Sequence, residues 1–96
     1  MDTSLLNRMR LSADRALRNN LKPNVKAMAI GYNKRCLHII VYVNSIPNED
    51  DFETVSDIAG EIICDFPELI RKTKEECRYL NESNIKKLDC WFQINE

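Results

Sequence analysis

A chain of 96 residues, 44% hydrophobic and 30% charged, has the size and balance of one folded domain, which excludes disorder and needs no metal or covalent staple to bury a core. Its longest apolar run, Leu37 to Val43, is broken by His38 and is far shorter than the roughly 20 residues of a membrane span. The net charge of −1 conceals an asymmetry: residues 1–35 carry eight Lys/Arg and two Asp, residues 36–70 carry eight Asp/Glu and no base, and residues 71–96 are nearly balanced.

Residues 4–19 are predicted to be a helix, with Leu6, Met9, Ala13, Ala16 and Leu17 as its apolar stripe. Thr3 or Ser4 can cap its start, Arg10 and Asp14 can pair one turn apart, and Arg8, Arg15 and Arg18 occupy the opposite face. Asn19-Asn20 and Pro23 stop it. Two strands follow, Val25 to Tyr32 and Arg35 to Asn44, joined by a turn at Asn33-Lys34 into a hairpin. In the second strand Leu37, Ile39, Val41 and Val43 alternate with Cys36, His38, Ile40 and Tyr42, so both faces are apolar enough for a central position.

Asn48 is a good N-cap for a second helix over about 48–66, with acids in the first turn to complement the helix dipole. Phe52, Val55, Ala59, Ile62, Ile63 and Phe66 form its expected buried stripe, flanked by Ile58, and Pro67 ends it. Two more strands are expected at Thr73 to Leu80 and Leu88 to Ile94, the latter with Leu88, Cys90, Phe92 and Ile94 inward, and a loop at Asn81 to Lys86. The order α-β-β-α-β-β implies an α+β fold: a four-stranded, mainly antiparallel sheet with two helices packed on one face. The pattern leaves the strand order open.

Catalytic chemistry finds little support. His38 is the single histidine, and Cys36 shares its strand face; a nucleophilic pair is conceivable, but a satisfied histidine in mid-sheet is the simpler reading. Gly31 and Gly60 stand alone, so no phosphate loop exists. Cys36, Cys64, Cys77 and Cys90 form no C-x-x-C pair and read as buried reduced thiols rather than a zinc site or two disulfides. The reading is a non-enzyme without cofactor or metal.

The dense constellation is acidic. Glu53, Asp57, Glu61 and Asp65 recur every four residues along one helix face, extended by Asp50 and flanked by Glu49 and Asp51. Like charges at this spacing repel by about a few tenths of a kcal/mol per pair, and the helix carries no Lys or Arg to relieve them. A binding role would account for that cost. Trp91 points outward by alternation, either as an interface anchor or as cover for the sheet's other face beside Tyr42 or His38.

The stretches Ile39-Ile40-Val41-Tyr42-Val43-Asn44, Asn48-Glu49-Asp50-Asp51 and Ile58-Ala59-Gly60-Glu61-Ile62-Ile63-Cys64-Asp65-Phe66-Pro67 resemble immunity proteins of bacterial contact-dependent growth inhibition and related polymorphic toxin systems. Those proteins often show a strand, an "E-E-D" helix start and a "T-E-I-I-A-D-F-P" helix end; here Gly60 and Cys64 replace the Thr and Ala. The resemblance implies a single immunity-protein-like domain over residues 1–96. It would be a cytoplasmic antitoxin that binds the toxic C-terminal domain of a large exoprotein and covers its active site. Many such toxins are nucleases, whose active sites are basic because they hold phosphates. Glu49, Asp50, Glu53, Asp57 and Glu61 are then the expected partner-binding residues, with Trp91 as an anchor. A homodimer pairing the basic helix of one copy with the acidic helix of another is compatible with this. The alternative is a small nucleic-acid-binding module using Arg8, Arg15, Arg18, Lys22 and Lys26, which the acidic helix and the lack of an aromatic platform disfavour.

Overall fold

A computed structural model describes residues 3–94. The elements are α1 (Thr3–Asn19), β1 (Val25–Asn33), β2 (Cys36–Val43), α2 (Glu49–Asp65), β3 (Lys72–Tyr79) and β4 (Cys90–Gln93), with one 3-10 turn at Glu82–Asn84. The expected α-β-β-α-β-β order and α+β class hold. The strands lie in the order β3-β2-β1-β4, so β2 is central as its two apolar faces require. β1 pairs antiparallel with β2 and with β4, while β2 and β3 run parallel, joined through α2.

The β1–β2 hairpin turns at Lys34-Arg35, one residue later than the expected Asn33-Lys34, with Asn33 paired to Cys36 across it. Both turn residues take positive φ, 51° and 62°. This is the twist that matches a two-residue hairpin, achieved here without glycine.

Both helices cover one face of the sheet. Met9, Ala13, Ala16 and Leu17 of α1 and Val55, Ile58, Ala59 and Ile62 of α2 pack on Met28 and Ile30 of β1 and Leu37, Ile39, Val41 and Val43 of β2. Each large apolar side chain buried there contributes roughly 1.5–3 kcal/mol before entropy is subtracted. Within α2 the buried arc is rotated from the expected stripe. Ile58 is completely buried, whereas Phe52 is 50% exposed. The reason is the sheet's edge. Ser56, one turn after Phe52, donates to Glu75 of β3 at 2.6 Å, so this flank of α2 lies over the last strand, with no further strand to cover Phe52.

The other face is closed by the chain itself. β3 and β4 occupy opposite edges, so the connection between them must cross beneath β2 and β1. Along that path Leu80, Ile85 and Leu88, joined by Trp91, cover Ala27, Ala29, Ile40 and Tyr42. The Tyr42 hydroxyl accepts from the Lys86 amide at 2.8 Å and donates to the Asn84 carbonyl at 3.4 Å, anchoring the crossing. Leu88 therefore packs on this second face and not inward with Cys90 and Phe92 as alternation suggested. Its φ of 52° breaks the strand's parity, and β4 begins only at Cys90.

All four cysteines are free. Cys77 and Cys90 are buried as expected, Cys36 is half-buried, and Cys64 is exposed, contrary to expectation, because it falls on the solvent side of α2. Burial, helped by the nearby Asp51 charge, pushes the Cys77 thiol up to about 11, which keeps it protonated in the core.

Candidate partner-binding surface

The acidic row does not keep to one face. An α-helix turns about 100° per residue, so each step of four residues gains about 40°. Glu53 points to solvent, and each later member of the row lies further round toward α1. By Glu61 and Asp65 the row has reached the neighbouring helix. Asp65 accepts from the Ser12 hydroxyl at 2.5 Å and from the Arg15 guanidinium. Glu61 accepts from Asn19 at 2.9 Å and also from Asn20. Those two amide hydrogen bonds hold the Glu61 carboxyl below the usual carboxylate range. The support missing from the row within α2 comes from α1 and the residue after it: one base, Arg15, and the neutral donors Ser12, Asn19 and Asn20. The basic helix and the acidic helix thus meet inside one chain.

At the other end of α2, Asp51 is buried and structural. Asn48 and Asp51 form a reciprocal capping box, each side chain accepting from the other's amide at 3.0 Å. Asn24 adds a third bond to Asp51 at 2.8 Å, tying the helix start to the α1–β1 connection. The cap expected at Asn48 is present, and Asp51, which flanks the acidic row in the sequence, belongs to that cap.

Glu49 and Asp50, within the cap, and Glu53 and Asp57, between it and Glu61, are all exposed. Among the described residues, no hydrogen bond or ion pair engages their carboxylates. Asp50, Glu53 and Asp57 border an open groove of about 360 Å³ whose other wall is Lys22, Pro23 and Asn24. The structure thus brings four of the expected partner-binding residues onto one free surface, with Glu61 at its margin.

Trp91 lies elsewhere. It is half-buried on the second face, its ring tilted against Tyr42 at 5.6 Å between centroids, with the Lys87 ammonium 5.6 Å from its own centroid. The helix and tryptophan do not share a surface.

Several other charged groups are engaged within the fold. Arg15 pairs with Asp65, Arg18 with Asp14 at 3.0 Å, and Arg8 lies 5.3 Å above the Phe66 ring. Asp14 thus pairs one turn ahead, with Arg18, rather than back with the expected Arg10. His38 sits half-buried on β2 beside β3, its Nε2 on Glu76, which also accepts from Arg78 at 2.6 Å. Partial burial pushes the Glu76 carboxyl up, but the bonds and charges of Arg78 and His38 outweigh it and hold the group at about 2. His38 is therefore directed at Glu76 and not at Cys36. No cluster of three or more His, Cys, Asp or Glu side chains suited to a metal occurs among the described residues. No helix among them is long and apolar enough to cross a membrane.

Sequence reasoning missed Ser12, Asn19 and Asn20. Each is a polar residue at the edge of the α1 stripe or just past its end, and the signal was available: two helical turns apart or adjacent, they face the acids at the matching end of α2.

No curated protein matches the chain. Residues 6–93, nearly the whole sequence, match the family described as MafI2 immunity protein. A match of that extent leads to one conclusion: the chain belongs to the MafI2 immunity protein family and is an immunity protein of a polymorphic toxin system.

Proposed function

We propose that this immunity protein acts in the cytoplasm by covering the active site of the toxic C-terminal domain of a contact-dependent growth inhibition exoprotein, and that this toxin is a nuclease, for example one that cleaves tRNA. The observation that carries the reading is the set of four exposed carboxylates, Glu49, Asp50, Glu53 and Asp57, that no side chain among the described residues engages. A nuclease cleft must be basic to hold phosphates, and an acidic helix is its electrostatic complement. Steered pairs of this kind associate at up to about 10⁸–10⁹ M⁻¹s⁻¹ at low salt, and speed matters when incoming toxin must be stopped before it acts. Glu61 borders the face. Trp91 can serve as an anchor only for a partner that also reaches the second face of the sheet.

The test uses the toxin domain encoded by the neighbouring gene. Glu53→Lys with Asp57→Lys should slow association by about tenfold at low salt and flatten its salt dependence. Unchanged association and unchanged protection would remove the acidic face from the reading. A toxin domain that degrades neither RNA nor DNA would remove the nuclease.

A further inference from the structure

We propose that the exposed apolar corner formed by Ile46, Phe52 and Tyr79 anchors the toxin, and that the toxin meets it with an apolar socket rimmed by Lys or Arg side chains. The inference rests on the immunity reading above and adds to it the part of the surface that holds rather than steers.

Ile46, Phe52 and Tyr79 are 84%, 50% and 51% exposed, and they are three of the five large apolar side chains left exposed among the described residues. Topology gathers them. Tyr79 ends β3 beside Val43, the last residue of β2, in the parallel register, and the Leu80 amide donates to the Val43 carbonyl at 2.8 Å. Ile46 lies in the short connection that leaves Val43 for the cap at Asn48. Phe52 follows in the first turn of α2. The Ser56–Glu75 bond shows that the flank carrying Phe52 lies over β3, on the side where Cys77 and therefore Tyr79 project. All three mark one corner: the open edge of the sheet, at the end where α2 begins.

Single exposed apolar residues need no explanation, but a clustered set at an edge does. Phe52 shares its helical turn with Glu49 and Asp50 and lies next to Glu53, and among the described residues none of these three carboxylates is engaged. An apolar centre with a charged rim is the anatomy of a protein interface, where aromatic anchors hold and rim charges steer. The rim decides the occupant. A two-fold contact with a second copy would set Glu49, Asp50 and Glu53 against their own like charges. A basic partner meets no such penalty from α2 and the connection before it, which hold no Lys or Arg, and Arg78 beside Tyr79 is paired with Glu76.

The experiment measures binding of the neighbouring-gene toxin domain, in a catalytically inactive form, to the full-length protein. Phe52→Ser and Tyr79→Ser should each weaken Kd by about tenfold or more, through faster dissociation and with the salt dependence retained. Leu11→Ser, an exposed apolar change on α1, should leave Kd within about twofold. Ile46→Ser, in a connection outside the core, gives a second reading of the corner should Phe52→Ser prove less stable. Wild-type binding with all three corner variants within about twofold overturns the anchor and leaves the immunity reading standing. Wild-type protein that does not bind the domain overturns both. If the variants instead convert a dimer to a monomer by light scattering while toxin binding is unchanged, the corner belongs to a second copy and the proposal fails.

Discussion

The two ends of one acidic row have different fates. Glu61 and Asp65 accept hydrogen bonds from four side chains of α1 and its C-terminal continuation, whereas Glu53 and Asp57 face solvent or an open groove and have no partner among the described residues. Nothing in the residue types distinguishes them. The difference is about 40° of helical rotation per step, which carries the same repeating carboxylate from solvent into a helix–helix contact. Charge counting alone therefore overstates an interaction face: half of the four-residue row belongs to the polar seam between α1 and α2, which holds one ion pair among the described residues, Arg15–Asp65.

This contrast between engaged and idle carboxylates orders the expected effects of mutation. The largest belongs to Asp51→Ala, which removes the capping box and the Asn24 bond together at a buried position; it should cost about 2 kcal/mol in urea denaturation. Glu76→Gln should cost about 1 kcal/mol near neutral pH, discounted for its partial exposure. The sign follows from a carboxyl held at about 2 when folded, against an ordinary value of 4.5. Its stabilisation is fully present above that ordinary value and fades as pH falls toward 2, so wild type and variant should converge in acid melts. A gap that stays constant from pH 7 to pH 3 would contradict the geometry at Glu76.

Asp65→Asn should cost about 1 kcal/mol, because Ser12 is buried and loses a charged acceptor. Gly60→Ala should stabilise by about 0.5–1 kcal/mol, since a Cβ there meets nothing within 4 Å and mid-helix glycine carries excess backbone entropy. The smallest effect is expected at Glu53→Lys, within about 0.5 kcal/mol by thermal melting, as it relieves like-charge pairs and breaks no bond. A loss from Glu53→Lys comparable to that from Asp65→Asn would erase the distinction between the two ends.

Much of the fold was legible in the residues. The β2 alternation of Leu37, Ile39, Val41 and Val43 against Ile40 and Tyr42 describes a strand buried on both sides, and β2 is central with a core on each face. The Asn48 cap was legible because capping is local, complete within four residues. Phe52 and Leu88 were misplaced for a shared reason. Periodicity tells how residues are distributed around an element, but not where the sheet ends above it or where a left-handed φ resets the alternation. Trp91 stood between two readings, and the half-buried packing on Tyr42 is one that alternation alone could not choose.

By itself the sequence determined the element order, the apolar stripes, the helix start at Asn48 and the presence of a strongly acidic helix, because each depends on neighbours within a few positions along the chain. Tertiary structure alone decided which acids are idle. Asp65 finds Ser12 and Arg15 some fifty residues away in the chain, and Glu61 finds Asn19 and Asn20, only because both helices pack side by side on one face of the sheet. Pairing across that distance depends on packing, which places the free carboxylates of Glu49, Asp50, Glu53 and Asp57 beside an apolar corner that no stretch of sequence displays as one surface.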